Sequence, residues 1–276
     1  MKHIHWAILT DDEAKLPQLQ ERLTAFAGTD VVASSYHTSL QKADVHTLIA
    51  DANALYVSSR QQSVLPLCIL ALKKDIPVIL HDPTLWQYDD MIRLLRTCQQ
   101  GDYQCYVEWS GIDMGAIHAL QHHQQRPDPV NPQAVQMLAR YTADEEVWQE
   151  QVYRQTFFMQ QLFGVAVDAV ALQTQQGEYR SAAILFENQT LLNALWMPCH
   201  NGQEPMTTYN TFFDDNDYRL TIRPDGSIQI HDETLIPATC SLLQQITETL
   251  QGYNICQSTI TNAATCAWIL RRLNTL

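Results

Sequence analysis

Along the first 110 residues, apolar positions recur in two alternating periods. HWAIL (5–9) is a short apolar run, and LPQLQERLTAF (16–26) places Leu16, Leu19, Leu23 and Phe26 on one helical face. Pro17 falls near the start of that helix, where its missing N–H costs nothing. TDVVASSY (29–36) has the pattern of a second strand, HTLIADA (46–52) of a short helix, and ALYVSS (54–59) of a third strand. SVLPLCILALKK (63–74) then predicts an apolar helix, and IPVIL (76–80) a fourth strand that ends at His81-Asp82-Pro83. WQYDDMIRLLRTCQQG (86–101) is amphipathic and stops at Gly101, and YQCYVEW (103–109) is a fifth strand. Strands that are apolar on both faces and alternate with helices imply a parallel sheet covered on both sides. The pattern predicts a doubly wound, Rossmann-like α/β domain over residues 1–120.

The second half, 121–276, follows a different grammar. GIDMGAIHALQHHQQ (111–125) predicts a bridging helix, and the proline-rich RPDPVNP (126–132) cannot continue it and suits a linker. QAVQMLARY (133–141) is a strand, and EEVWQEQVYRQTFFMQQLFG (145–164) a helix closed by Gly164. The strand-like runs VDAVALQT, YRSAAILF, LLNALWMP and TTYNTFFDD follow, with ENQT as one turn, and YRLTIRPDGSIQIHD has Pro-Asp-Gly at a hairpin turn. SLLQQITETLQG and TNAATCAWILRRL close the chain as helices. Consecutive hairpins predict an α+β domain with a mostly antiparallel open sheet.

Composition narrows the function classes. With 276 residues and 46% hydrophobic content, the chain can fill real cores. A net charge of −13 repels phosphate backbones and anionic membranes, which argues against nucleic acid and membrane partners. No apolar stretch reaches spanning length, and MKHIHWAIL lacks the apolar region and cleavage site of a signal peptide. Seven cysteines without C-x-x-C spacing fit free thiols in a reducing compartment, so the expectation is a cytoplasmic protein. Nine glycines fall well under the roughly 7% average, which makes glycine-rich phosphate loops scarce.

On these residues the chain resembles a known family. A strand ALYVSS before a helix ending LALKKDIPVIL and an x-x-Pro turn is similar to the Gfo/Idh/MocA family, the glucose-fructose oxidoreductase and inositol dehydrogenase group. MQQLFGVAVDAVALQT (159–174) resembles that family's helix, Gly, strand passage. AAILFENQTLLNAL (182–195) resembles its F-x-N-G hairpin, with Gln189 in the glycine's place, and TNAATCAWILRRL resembles its terminal helix. The likeness covers nearly the whole chain and is weakest at 10–50 and 110–150.

The resemblance implies an NAD(P) site, yet the residues depart from it. Members carry G-x-G-x-x-G/A after the first strand, where glycines let backbone N–H groups approach the pyrophosphate. Here the run is Thr10-Asp11-Asp12-Glu13-Ala14-Lys15, which sets three carboxylates where phosphates belong and puts Cβ atoms in the way. After the second strand, Ser34-Ser35-Tyr36-His37 offers neither the acid for a ribose nor the basic group for its phosphate. The family's E-K-P turn, whose lysine assists proton transfer, has become His81-Asp82-Pro83. Counting back from Leu162-Phe163-Gly164, the family's catalytic histidine falls near Arg154 and its aspartate near Phe157, and no histidine occurs at 144–164. Hydride transfer from an alcohol needs a cofactor clamp and a group to take the proton. The departures imply an oxidoreductase-like protein with eroded NAD(P) and catalytic motifs, serving as a non-catalytic or atypical small-molecule-binding or assembly subunit. The alternative is an active NAD(P)-dependent oxidoreductase acting on a sugar, polyol or related small molecule through an unusual site.

Candidate residues follow from where ligands bind in such sheets, at the carboxyl ends of the strands. His81 and Asp82 end the fourth strand as a candidate base and its carboxylate, though a helix-capping Asp in a polar turn accounts for them equally well. Arg154, from the second domain, is a candidate for binding an acidic ligand. Thr10, Asp11, Ser58 and Arg60 are the expected cofactor-crevice positions, with Ser59, Glu108 and Trp109 beside them; singly, each fits a structural role better. His118 and His122 lie four apart on the bridging helix, with His123, His3 and His5 also near a histidine neighbour, but no third ligand follows at a diagnostic spacing. Asp214, Asp215 and Asp217 lack calcium-loop spacing, and Cys199-His200 lacks a partner base, so no metal site is expected. Relatives of this type commonly pair through the second-domain sheet, which implies a homo-oligomer with a small-molecule ligand in an interdomain crevice.

Overall fold

Four apolar runs and the more polar run TDVVASSY, each too short to bury itself alone, assemble into one parallel sheet in the order β2-β1-β3-β4-β5, with TDVVASSY at the edge and its Val32 40% exposed. These strands are β1 (Ile4–Thr10), β2 (Thr29–Tyr36), β3 (Ala54–Ser58), β4 (Val78–His81) and β5 (Cys105–Glu108). The structure is a computed structural model. It describes residues 2–36, 46–59, 64–82, 86–109, 133–141, 145–163, 166–176, 179–200, 205–212, 217–222, 228–230, 233–235, 241–253, 255–256 and 258–274. The chain divides into two compact units, Met1–Ser110 with Ser241–Ala264, and Gly111–Cys240 with Thr265–Leu276.

Helices α1 (Leu16–Thr24), α2 (Leu65–Leu72) and α3 (Tyr88–Gly101) belong to the first unit. The short 3-10 turn Glu13–Lys15 leads into α1, which buries Leu19 and Leu23 and ends before Phe26. In α2, which is apolar on all sides, Leu65, Leu67, Cys68, Ala71 and Leu72 are buried. Gly101 is the last residue of α3; the stop itself is made by Asp102, left-handed at φ 54°, whose N–H caps the Cys98 carbonyl. The second helix expected before β3 is a single turn at 46–48. Helix α4 (Leu242–Gln251) returns to this unit, capped by the Ser241 hydroxyl on the Gln244 amide at one end and by Gly252 at φ 89° at the other. After it, Ser258 lies along β5: its hydroxyl donates to the Val107 carbonyl, and the Val107 N–H donates to the Ser258 carbonyl (3.0 Å).

The second unit is an eight-stranded sheet in the order β13-β12-β11-β10-β6-β9-β8-β7. Its strands are β6 (Ala134–Tyr141), β7 (Val167–Gln176), β8 (Tyr179–Phe186), β9 (Leu191–Pro198), β10 (Met206–Phe212), β11 (Asp217–Ile222), β12 (Ile228–Ile230) and β13 (Glu233–Leu235). All neighbours are antiparallel except β6 and β9, which run parallel. Alternation sends Val135, Met137, Ala139, Ala182, Ile184, Leu192, Ala194 and Trp196 inward. The long helix α5 (Glu145–Phe163) packs on them: Phe163 meets Phe186 edge-on at 4.9 Å, and Trp148 meets Trp196 at 6.4 Å. The closing helix α6 (Ile260–Asn274) touches α5 through Cys266, which accepts a bond from Gln160 Nε2 at 3.2 Å.

The β8–β9 turn bears out the hairpin reading at atomic detail. Gln189 adopts φ 68°, the left-handed conformation that glycine takes without strain, and its N–H closes on the Phe186 carbonyl at 2.9 Å. The bridging helix 111–125, the linker 126–132 and the Pro-Asp-Gly turn lie outside the described residues, as do Arg60, His37, Pro83, His118, His122, His123, Asp214 and Asp215. Among the described residues no helix is long and apolar enough to cross a membrane, and the six described cysteines are free thiols, five of them buried.

Candidate functional site

In the strand order β2-β1-β3-β4-β5, the connections diverge between β1 and β3, so the crevice for a ligand opens beyond the carboxyl ends of those two strands. The structure brings Thr10, Asp11, Ser58 and Ser59 to this point, with Thr10 and Ser58 paired in register. The turn after β1 is folded upon itself. Thr10 is buried and its hydroxyl meets both the Asp12 amide (3.2 Å) and the Asp12 carbonyl (3.3 Å). The Asp11 N–H donates to the Ser58 carbonyl (3.4 Å), and its carboxylate accepts from the Ser59 hydroxyl (3.3 Å), which ties the turn to the end of β3. Asp12 caps the 3-10 turn by accepting from the Ala14 amide (3.1 Å) and is 3.5 Å from the Lys15 ammonium. Beyond β3 the Trp86 indole N–H donates to the Ser59 carbonyl at 3.2 Å.

A second cluster spans β3, β4 and β5. Because parallel strands point paired residues to the same face, Tyr56, His81 and Glu108 share one side of the sheet. Glu108 is 2% exposed and collects three donors. The Tyr56 hydroxyl and His81 Nδ1 (2.7 Å) donate to its Oε2, and Arg22 of α1 donates to its Oε1 at 2.5 Å. Burial pushes the Glu108 carboxyl up, but the hydrogen bond and charge of His81, then Arg22 and Tyr56, outweigh it and hold the group below its ordinary value. Burial likewise works against the Arg22 guanidinium, yet the Glu108 charge keeps it above its ordinary value. Burial, reinforced by the Glu108 charge, raises the Tyr56 phenol well above its own. His81 Nε2 faces the Asp82 carboxylate at 3.4 Å, and Asp82 holds φ 42° while its N–H donates to the Glu108 carbonyl.

The sequence placed His81, Asp82 and Glu108 at one sheet edge, and the structure brings these three together. Tyr56 and Arg22 escaped that reading. Two signals point to them: Tyr56 is two residues before Ser58 and so on its face, and Arg22 borders the Leu19–Leu23 stripe of α1. Trp109 is buried immediately after β5. Arg154 stands on α5 in the second unit, paired with Glu150 one turn earlier at 2.5 Å. Phe157, where the resemblance puts an aspartate, is fully buried in the apolar core of that unit. Beside it Gln155 accepts from the Trp196 indole N–H (2.7 Å) and donates to the Thr207 hydroxyl (2.9 Å).

No family model and no curated protein match this chain. Solved structures do. UDP-N-acetylglucosamine 3-dehydrogenase GnnA from Acidithiobacillus ferrooxidans superposes with a TM-score of 0.72 at 11% identity, covering 100% of this chain and 98% of that one. A dehydrogenase from Chromobacterium violaceum gives 0.73 at 10% identity, covering 100% and 95%. The fold is that of the Gfo/Idh/MocA oxidoreductases. An oxidoreductase from Agrobacterium radiobacter, solved with NAD+, L-tartaric acid and magnesium, superposes with a TM-score of 0.65 at 11% identity, covering 99% of this chain and 96% of that one. At such identity the likeness concerns the backbone path, and the chemistry has to be argued from this chain's own residues.

Proposed function

We propose that this Gfo/Idh/MocA-fold protein has given up the ordinary NAD(P) site and works as a non-catalytic small-molecule-binding or assembly subunit. One observation carries the reading: the turn after β1 is closed by its own carboxylates, with Asp12 on the Ala14 amide and Asp11 on Ser59. A pyrophosphate in this fold takes up backbone N–H groups at that place. Here it would meet Asp11 and Asp12, and each like-charge contact at about 4 Å opposes binding by roughly 4 kcal/mol at an effective dielectric near 20, about a thousandfold in affinity. The residues present do not fit the cofactor. The proton-transfer position supports the same reading, since Asp82 stands where the family has a lysine.

A specific arrangement favours a second reading. His81 has one ring nitrogen fixed by the buried Glu108 and the other at the strand end, which is how an imidazole is oriented as a general base. An NAD(P)-dependent oxidoreductase with an unusual site would use it. Assembly through the second-unit sheet is supported by its outward face. Leu138, Leu185 and Leu195 are half-buried there, and Leu191 is exposed, although water covers none of these groups favourably. A thermal-shift screen of nucleotides and sugars, run with sedimentation velocity, separates the readings. The subunit reading expects no nucleotide to stabilise the protein and an oligomer that Leu138→Glu with Leu195→Glu dissociates. Stabilisation by NAD(P) establishes the enzyme reading instead.

A further inference from the structure

At the opposite end of the parallel sheet, where β1 and β2 begin, three potential metal ligands converge. We propose that His3, His5 and Asp30 form a binding site for a first-row divalent cation of the zinc class, independent of the nucleotide-site reading. His3 and His5 are two residues apart on an extended segment and so lie on one face; their rings are 4.8 Å apart. Asp30 is the cross-strand partner of His5 in the β1–β2 register. Asp30 Oδ1 lies 2.7 Å from His5 Nδ1 and 3.6 Å from His3 Nε2, and one ligand atom from each of the three falls within 4.8 Å of the others.

These separations bracket what a metal needs. With bonds of 2.0–2.2 Å to nitrogen and oxygen, tetrahedral coordination sets its ligand atoms about 3.3 Å apart. Rotation of half-exposed rings covers the difference, because the backbone beneath them is already pinned. Asn53 accepts from the His5 amide (2.8 Å) and donates to the His3 carbonyl (2.8 Å), its own N–H donates to the His5 carbonyl (3.0 Å), and the Ile4 N–H donates to the Gly28 carbonyl (2.9 Å). Three chain segments, at residues 3–5, 28 and 53, are therefore not free to drift; only side-chain torsions remain to be set.

The donor set decides the ion. Two imidazoles and one carboxylate suit Zn2+, Ni2+, Co2+ or Cu2+, whereas Mg2+ and Ca2+ take oxygen ligands. The side chains of His3, His5 and Asp30 are 51%, 39% and 48% exposed, which leaves the remaining coordination positions to water. Binding replaces the hydrogen bond between His5 Nδ1 and Asp30: a neutral ring carries its proton on Nε2 instead, and a protonated ring releases one proton to solvent. The cation would then clamp the start of β1 to β2.

The test is a calorimetric titration of the metal-free full chain with Zn2+ and with Mg2+, comparing the wild type with His3→Ala/His5→Ala and with Asp30→Asn. The wild type is expected to bind one more equivalent of Zn2+ than the double variant, to bind Zn2+ about tenfold or more tightly than Asp30→Asn, and to melt at a higher temperature with Zn2+ than without. Histidines elsewhere affect both proteins equally, so the difference isolates this site. Equal stoichiometry and affinity in wild type and double variant, or Mg2+ binding as strong as Zn2+ binding, overturns the proposal. Should the double variant not fold, His3→Gln, at an exposed position before β1, carries the same comparison.

Discussion

Replacing Glu108 gives the sharpest quantitative prediction. Its Oε2 serves Tyr56 and His81 while its Oε1 serves Arg22, so the two obvious replacements differ in what they strand. Glu108→Gln can keep its carbonyl oxygen at the Oε2 place, but it gives up the charge and turns its amide N–H toward the Arg22 donor, so the charge-assisted bond to Arg22 is lost. That bond is worth about 1.5–3 kcal/mol, taken toward the low end because the Arg22 side chain is 34% exposed and regains water. Glu108→Leu leaves the Tyr56 hydroxyl and the His81 N–H without an acceptor in the interior, at about 3–5 kcal/mol. Urea unfolding at neutral pH should rank wild type above Gln above Leu by these steps. The pH dependence has a definite sign. A carboxyl whose folded value is depressed adds stability above its unfolded value, about 4.3, and that stability disappears as pH falls through the lower folded value. The gap between wild type and Glu108→Leu should therefore be full at neutral pH and shrink below about pH 4. A cost under about 1 kcal/mol for Glu108→Leu, or a gap that widens with acid, would refute the reasoning.

Two further substitutions probe the second unit. Gln189 holds a left-handed backbone that costs a side chain roughly 1 kcal/mol, so Gln189→Gly should raise the thermal midpoint slightly and Gln189→Val should lower it; the reverse order in calorimetry contradicts the hairpin assignment. Gln155→Leu strands the Trp196 indole N–H and the Thr207 hydroxyl under α5, and chemical denaturation should register a loss of about 2–3 kcal/mol, against near neutrality if those groups find other partners.

Much of the architecture was legible because the signals are local. Apolar runs such as ALYVSS and IPVIL have strand length, and the acids at 11–13 stand in the turn where dinucleotide-binding members of the resembled family carry glycines. What escaped is set by contacts between distant segments. The pairing of His5 with Asp30 depends on the β1–β2 register, which a bulge after Trp6 shifts, and no periodicity fixes that register. Arg22 and Glu108 are 86 residues apart and meet only once α1 packs on the sheet. The parallel pairing of β6 with β9 is hidden inside a series of hairpins, and the return of Ser241–Ala264 to the first unit rests on Ser258 binding the backbone of β5.

The central claim concerns two side chains at one turn, and isothermal titration of the purified protein with NAD+ and NADPH addresses it directly. The account expects no saturable heat with either dinucleotide for the wild type, and measurable binding when Asp11 and Asp12 are both changed to glycine. Micromolar binding by the wild type, unchanged in that variant, would contradict it.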